Sequence, residues 1–134
     1  HRWNVLNEEQ AERLIHIYLK RWGIITRALL EKESFSPPWR ELLIHLRKME
    51  LRGVLRGGRF IAGLGGEQFS LPETVDAIRK FKKARESAPK NKLYCLSAAD
   101  PLNLMNLTSG SQRLPRLQKN RVLYQGGIPI AVLD

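Results

Sequence analysis

The hydrophobic period of the chain changes at Gly53, and this change constrains the fold more than any other feature. Before Gly53, apolar residues recur three or four positions apart, as they do on one face of a helix. After Gly53, short apolar runs alternate with glycine clusters, a pattern typical of strands and turns. Three helices followed by a β-hairpin is the order of a winged helix, so we expect an α+β fold that contains this module.

The first helix is predicted over about Glu8–Trp22. Asn7 and Gln10 have the spacing of a capping box, in which each side chain bonds the other residue's backbone N–H. Gly23 supplies a left-handed stop at the other end. The apolar residues between these signals form one stripe, which predicts a buried face.

Two further helices are predicted before the change of period. Thr26 is an N-cap candidate for a short helix that closes near Ser34. Ser36 is the predicted N-cap of a third helix, with Pro37 at its first position, where a missing N–H has no consequence. The predicted buried face of this third helix comprises Trp39, Leu42, Leu43, Leu46 and Met49.

The segment after Gly53 predicts the wing. Residues 54–56 and 59–62 have the composition of two strands, and Gly57 with Gly58 predicts a tight two-residue turn between them. Residues 67–69 predict a third short strand.

The rest of the chain predicts one more helix and a small antiparallel β unit. A helix begins at Pro72 and continues into the basic run at 79–85, and residues 87–92 are a predicted linker. A strand at 93–96 is followed by a hairpin of 121–124 and 128–133, in which Pro129 must lie at an edge or strand start. We therefore expect a winged-helix domain with its following helix over residues 1–88. A small β subdomain, truncated from a longer chain, follows over 89–134.

The charge balance indicates a polyanionic partner. The 134 residues include 23 Lys and Arg against 13 Asp and Glu, a formal net charge of +10. Each cation placed on a phosphate releases condensed counterions, which favours nucleic acid; the alternative is a generically basic domain. The single cysteine, Cys95, excludes an internal disulfide framework and a multi-cysteine zinc site, and this usage suits the cytoplasm. No apolar run approaches the roughly 20 residues that span a membrane.

Several segments, in order and spacing, resemble one protein family. They are YLKRWGIIT at 18–26, GVLRGGRFIAGLGGEQFSLP at 53–72, SAADPLN at 97–103, and NRVLY at 120–124 with the glycines at 126–127. Together they resemble the C-terminal region of Lhr-type (large helicase-related) superfamily 2 DEAD/DEAH-box helicases. The winged helix is also similar to that of AlkZ-type DNA glycosylases.

The resemblance implies a parent that couples ATP hydrolysis, with Mg²⁺, to 3′–5′ unwinding of DNA in a repair setting. This chain lacks the G-x-x-x-x-G-K-[ST] phosphate loop, so we expect no cofactor in it and an ATPase elsewhere in the parent. Expected partners are single-stranded or duplex DNA, an RNA:DNA hybrid and other parent domains, at the nucleoid and away from membranes. Base excision is one alternative function, and an oligomerisation scaffold is another.

DNA contact is predicted for long cationic side chains on the third helix, the wing, the fourth helix and a later loop. The alternative for each is a solvated charged face. These candidates are Arg40, Arg47, Lys48, Arg56, Arg59, Arg79, Lys82, Lys83, Arg113 and Arg116.

A glycosylase needs a carboxylate or amide that positions water beside a pocket for an extruded base. Glu67, Gln68, Asp100 and Asp134 are the candidates, although Asp100 precedes Pro101 and more simply caps a turn. Cys95 is expected to be a buried filler. His16 and His45 lack partners at ligand spacing, so no metal site is expected.

Overall fold

A computed structural model describes residues 5–87, 92–100, 103, 115 and 117–133. They form two compact units. The first comprises the described residues up to Phe60 together with 64–80, and the second comprises 61–63 together with the described residues from Phe81 onward. Within the described ranges the fold is α+β, as the sequence predicted, with helices and two small antiparallel sheets.

The helices are α1 (Glu8–Trp22), α2 (Arg27–Leu30), α3 (Trp39–Leu51) and α4 (Pro72–Ser87). The first sheet has the order β1 (Ile25–Thr26), β3 (Gln68–Ser70), β2 (Arg56–Gly58). The second has the order β4 (Leu93–Ser97), β5 (Arg121–Gln125), β6 (Ile128–Leu133).

The predicted end signals of α1 are confirmed. The Asn7 side chain accepts from the Gln10 N–H at 2.8 Å, and the Gln10 side chain accepts from the Asn7 N–H at 3.2 Å. Gly23 adopts a φ of 74° and donates its N–H to the Leu19 carbonyl. Glu8 and Glu9 occupy the first turn, where the helix dipole favours negative charge.

The start of α3 differs from the prediction. Thr26 does cap α2, where its side chain accepts from the Leu29 N–H, but Ser36 does not cap α3. The Ser36 hydroxyl donates instead to the Pro37 carbonyl, and Pro38 is the N-cap residue. The helical region is disfavoured for a residue that precedes a proline, which explains why α3 does not begin at Pro37.

The winged-helix unit closes on one apolar cluster. Side chains from α1, α2, α3 and the first sheet meet in it, and the helical periods of α1 and α3 predicted most of them. The buried members are Ile15, Tyr18, Leu19, Ile25, Leu30, Leu42, Leu46, Met49, Leu55 and Phe69.

The wing is built differently from the predicted hairpin. Gly57 and Gly58 are strand residues of β2, paired with Phe69 and Gln68, and neither has a positive φ. The predicted two-residue turn is therefore wrong, because such a turn needs positive φ at its central residues. The strands are joined instead by residues 59–67, the wing loop, and β3 also pairs with the unpredicted β1.

Two side chains pack closely over the glycines of β2. A Cβ on Gly57 would lie 2.5 Å from a carboxylate oxygen of Glu50, and one on Gly58 would lie 2.9 Å from the Phe60 ring. Glu50 also accepts the Gly57 N–H at 3.1 Å, which satisfies a backbone donor on an edge strand.

The second sheet confirms the predicted C-terminal hairpin. Gly126 and Gly127 have φ values of 56° and 78°, as a two-residue turn of this kind requires. Pro129 lies on the edge strand β6, where no partner needs its missing N–H. Cys95 is exposed on β4, so its predicted burial is wrong. Among the described residues of this unit, Ala98 and Val122 form the buried apolar cluster, and Leu93, Tyr94 and Cys95 of β4 are exposed.

Two asparagine side chains are buried among the described residues of the second unit. Asn103 and Asn120 are each only 2% exposed. The Asn103 amide donates to the Ala98 carbonyl at 3.1 Å, and its oxygen accepts from the Tyr124 hydroxyl. Asn120 donates to the Pro115 carbonyl at 3.0 Å and accepts the Ala98 N–H on its backbone.

Among the described residues, no helix is both long enough and apolar enough to cross a membrane.

Candidate nucleic-acid interface

The outward face of α3 carries cations, as the sequence predicted. Leu42, Leu46 and Met49 point into the core, so the opposite side of the helix faces solvent. Arg40 and Lys48 are exposed there. Within the part of the chain that the structure describes, neither has a carboxylate within ion-pair distance. Both side chains can therefore meet an anionic partner without first breaking an internal ion pair.

Arg47 lies on the same face but has an internal partner. Its Nη2 donates to both carboxylate oxygens of Glu67, at 3.0 and 3.2 Å. Both side chains remain half exposed, at 58% for Arg47 and 50% for Glu67. The ion pair links α3 to the end of the wing loop, and it brings a predicted DNA contact together with a predicted catalytic carboxylate.

The two wing arginines also differ in whether a carboxylate pairs with them. Arg56 on β2 lies 3.7 Å from Asp76 of α4, and the same carboxylate lies 3.9 Å from Arg79. Arg59, the first residue of the wing loop, is exposed, and no described carboxylate pairs with it. Of the two cations predicted to flank the wing turn, Arg59 is thus the more available.

A shallow groove of about 430 Å³ lies between the end of α3 and the wing. We call it the wing groove. It is lined by Glu50, Gly57, Gly58, Arg59, Gly66, Glu67 and Phe69. Its glycines present bare backbone, and its charged groups are two carboxylates and one guanidinium. The groove can therefore accept a flat polar group that donates hydrogen bonds.

Gln68 is fully buried under the wing loop. Its side-chain oxygen accepts from the Phe60 N–H at 2.8 Å, and its nitrogen donates to the Leu64 carbonyl at 3.0 Å. The amide therefore ties the start and the middle of the wing loop to β3 from inside. This placement gives Gln68 a structural role and leaves no exposed polar atom for substrate.

The remaining predicted residues are scattered. Lys82 and Lys83 are exposed on α4. Asp100 follows β4, and its backbone N–H donates to the Ser97 carbonyl. Arg113, Arg116 and Asp134 lie outside the described residues.

Local contacts account for the tryptophan side chains that the structure describes. Trp22 is half buried and donates its indole N–H to Glu33 at 2.7 Å, and Trp39 packs against the core. Trp3 lies outside the described residues. No cluster of His, Cys, Asp and Glu that could hold a metal is found among the described residues.

Sequence reasoning missed Asp76 and Glu50, and it missed the pairing of Glu67 with Arg47. Asp76 lies 20 positions from Arg56, and Glu67 lies 20 positions from Arg47, so neither pair has a local spacing signal. Glu50 was missed because its role depends on the path of β2. The spacing of Asp76 and Arg79 on α4, three residues apart, is the one signal that pointed to a carboxylate here.

Comparison with known proteins agrees with the winged-helix fold of the first unit. A family model described as "Large helicase-related protein, winged-helix domain" matches residues 4–90. The "Lhr helicase/uracil glycosylase" of Escherichia coli (strain K12) is 32% identical over 109 residues, which cover 77% of this chain. The "Lhr helicase/ probable uracil glycosylase" of Mycolicibacterium smegmatis is 27% identical over 109 residues, or 76% of this chain. The matched part spans about 7% of the length of each relative.

Proposed function

The chain belongs to the large helicase-related family, and on that premise we propose that its winged-helix unit binds DNA through α3 and the wing. It would hold or guide the DNA for an ATP-driven motor elsewhere in a longer parent protein. The observation that carries the proposal is the set of exposed cations on this surface, Arg40, Lys48 and Arg59, which no described carboxylate neutralises.

The geometry of a winged helix supports this use of the surface. Its third helix can lie in a groove of the duplex while the wing contacts the neighbouring backbone. Arg40 and Lys48 lie eight residues apart on α3, or about 12 Å at the helical rise, which spans several phosphates. Arg59 begins the wing loop.

Salt dependence tests the proposal. We would measure the affinity of the 134-residue chain for a 20-base-pair duplex and for the corresponding single strand between 50 and 200 mM salt. Log affinity falls as log salt rises, and each lost phosphate contact reduces the steepness of this fall by about 0.9 on duplex DNA. The combined variant Arg40→Gln, Lys48→Gln, Arg59→Gln should therefore have a slope that is closer to zero by about 2.7.

The control removes the same charge from exposed cations on α1 and α2, with Arg13→Gln, Lys20→Gln and Arg27→Gln combined. It should leave most of the slope intact. A slope near zero for the unmodified chain would reject the proposal. An equal loss from the control would show that net charge, and not this surface, drives binding.

Base excision is a second candidate, favoured by the wing groove. The groove places Glu50 and Glu67 beside the proposed DNA surface, and both relatives carry uracil glycosylase in their names. In this reaction water would add to C1′ as the bond from C1′ to the base breaks, with the water's proton passing to the departing base. Glu67 would orient the water, with Arg47 beside it.

An oligonucleotide with one deoxyuridine tests this candidate, with alkali cleavage as the readout for the abasic site. Wild-type chain should cleave it, and Glu67→Gln should lower the rate at least tenfold, whereas the Asp100→Asn control should not change it. Asp134→Asn tests the last predicted carboxylate. Absence of cleavage by the wild-type chain would exclude base excision as an activity of this chain.

The wider setting is also a proposal. The parent motor would use ATP and Mg²⁺, hydrolyse the nucleotide and act in DNA repair at the nucleoid of the cytoplasm. Other parent domains and an RNA:DNA hybrid are further proposed partners. A homo-oligomer would show as a mass that rises with protein concentration in sedimentation.

A further inference from the structure

The outward face of α3 alternates basic and apolar side chains along one line. Arg40, Ile44, Arg47 and Leu51 follow one another at intervals of four, three and four residues, which places them on the same side of a helix. We call this line the α3 seam. Ile44 is 57% exposed and Leu51 is 89% exposed.

The position of Ile44 is unusual for a solvent-facing isoleucine. Single exposed apolar residues are common on protein surfaces and need no partner. Ile44, however, lies one turn from Arg40 on one side and from Arg47 and Lys48 on the other. Charge complementarity selects a polyanion for this face, so a polyanion bound there would lie against Ile44.

Duplex DNA displays such a group in the major groove. Thymine carries its C5-methyl there, and apolar side chains contact it, whereas arginine recognises guanine or phosphate. We propose that Ile44 reads the 5-methyl group of thymine while the cations around it contact phosphates and base edges. This inference rests on the proposed binding of DNA by α3, and it adds a base preference to it.

The dimensions of the seam fit one such contact. Arg40 and Arg47 lie seven residues apart, or about 10 Å along the helix axis, which corresponds to about three base-pair steps at 3.4 Å each. Ile44 lies between them. One methyl group in the middle of the contacted base pairs would therefore face Ile44.

The same chemistry distinguishes DNA from RNA. Uracil lacks the methyl group, and the major groove of an RNA duplex is too deep and narrow for side chains to read. The ligand of the α3 seam is therefore thymine-containing duplex DNA.

Replacement of thymine by uracil tests the inference, because it removes only the methyl groups. We would measure the affinity of the 134-residue chain at 4 °C for a 20-base-pair duplex of alternating A·T pairs. The second ligand is the same duplex with deoxyuridine in place of every thymidine. Burial of one methyl group corresponds to about a fourfold change in affinity, so the unmodified chain should prefer thymine about fourfold.

Variants assign the preference to the side chain. Ile44→Ala should bind both duplexes equally, and because it faces solvent it should keep the wild-type circular dichroism spectrum. Ile17→Ala is the matched control, since Ile17 is also an isoleucine, on α1, and is 56% exposed. It should keep the full preference. The comparison between variants also removes any effect of the methyl groups on the shape of the duplex itself.

The outcomes separate this inference from the proposed function. Salt-dependent binding with equal affinity for both duplexes would overturn the inference alone and leave the proposed DNA binding in place. Tighter binding to the deoxyuridine duplex would also overturn it and favour base excision. A preference that persists in Ile44→Ala would move methyl reading to another residue. Absence of salt-dependent binding to either duplex would overturn the proposed function, and the inference with it.

Discussion

Among the described residues, the interiors of the two units differ in composition. The winged-helix unit packs ten buried residues from its helices and first sheet into one apolar cluster. In the β unit the buried apolar cluster contains Ala98 and Val122, and two buried asparagines tie loop backbone to the sheet. Among the described residues, a large apolar cluster therefore distinguishes the first unit, and two buried asparagines distinguish the second.

The two double-glycine sequences show the same contrast. Gly126 and Gly127 have positive φ and make a turn, whereas Gly57 and Gly58 are extended and admit Glu50 and Phe60. The two glycine pairs therefore have different roles. Gly126 and Gly127 adopt a backbone conformation that side chains disfavour, and Gly57 and Gly58 leave room for neighbouring side chains.

Truncation in the apolar cluster should have the largest effect. Leu46 is fully buried on α3, so Leu46→Ala should lower the free energy of unfolding by about 2–5 kcal/mol. Urea denaturation followed by tryptophan fluorescence measures the loss, since Trp22 and Trp39 lie in this unit. A loss below about 1 kcal/mol would show that the cluster is not the main support of the winged helix.

Removal of a buried amide should have the next largest effect, and it should act on the β unit. Asn103→Ala leaves the Tyr124 hydroxyl and the Ala98 carbonyl without these bonds, which should cost about 1–3 kcal/mol. Hydrogen exchange of the backbone amides of β4 and β5, recorded against urea, follows this unit. If Asn103→Ala is as stable as the wild type, the contrast between the interiors fails.

The double glycines should show smaller effects with different causes. Gly127→Ala forces a side chain into a φ of 78° and should cost about 1–2 kcal/mol. Gly57→Ala displaces the Glu50 carboxylate from its N–H bond and should cost about 1 kcal/mol.

A Glu50→Ala background separates the two causes. It should remove most of the cost of Gly57→Ala, because the colliding group is gone, and leave the cost of Gly127→Ala unchanged. Equal costs for Gly57→Ala with and without Glu50 would contradict the assignment of close approach.

Alkaline pH should have the smallest effect, and it should act on both units. Burial raises the pKa of Tyr18, whose hydroxyl donates to the Phe35 carbonyl, and burial raises the pKa of Tyr124. A tyrosine whose pKa is higher in the folded state than in the unfolded state stabilises the fold as long as its hydroxyl is protonated. The contribution is thus complete below about pH 10 and is lost as pH rises through the folded-state values.

Tyr18→Phe and Tyr124→Phe should each flatten the loss of stability between pH 9 and 11 relative to the wild type. Urea denaturation at each pH measures the difference. An unchanged pH profile in either variant would show that the tyrosine concerned does not contribute.

The sequence predicted the features whose signals are local. The Asn7 and Gln10 capping box, the apolar stripes of α1 and α3 and the turn at Gly126 all follow from spacings within a few residues. The wing could not be predicted in the same way, because Gln68 braces a loop through contacts that only the folded chain creates.

The same limit applies to the interface. The exposed Arg40, Lys48 and Arg59 were predicted from helix faces and wing position. The neutralisation of Arg47 by Glu67 and of Arg56 by Asp76 depends on tertiary contacts. Exposure of a cation is therefore readable from the sequence, whereas its pairing is not.

Lysine footprinting tests the central claim that DNA lies on the winged-helix unit. The chain would be acetylated with and without a 20-base-pair duplex, and the modification of each lysine measured by mass spectrometry. Lys48 on α3 should be protected by DNA, whereas Lys20 on α1 and Lys119 in the β unit, which are also exposed, should react equally in both samples. Protection of Lys119 with full reactivity at Lys48 would contradict the claim.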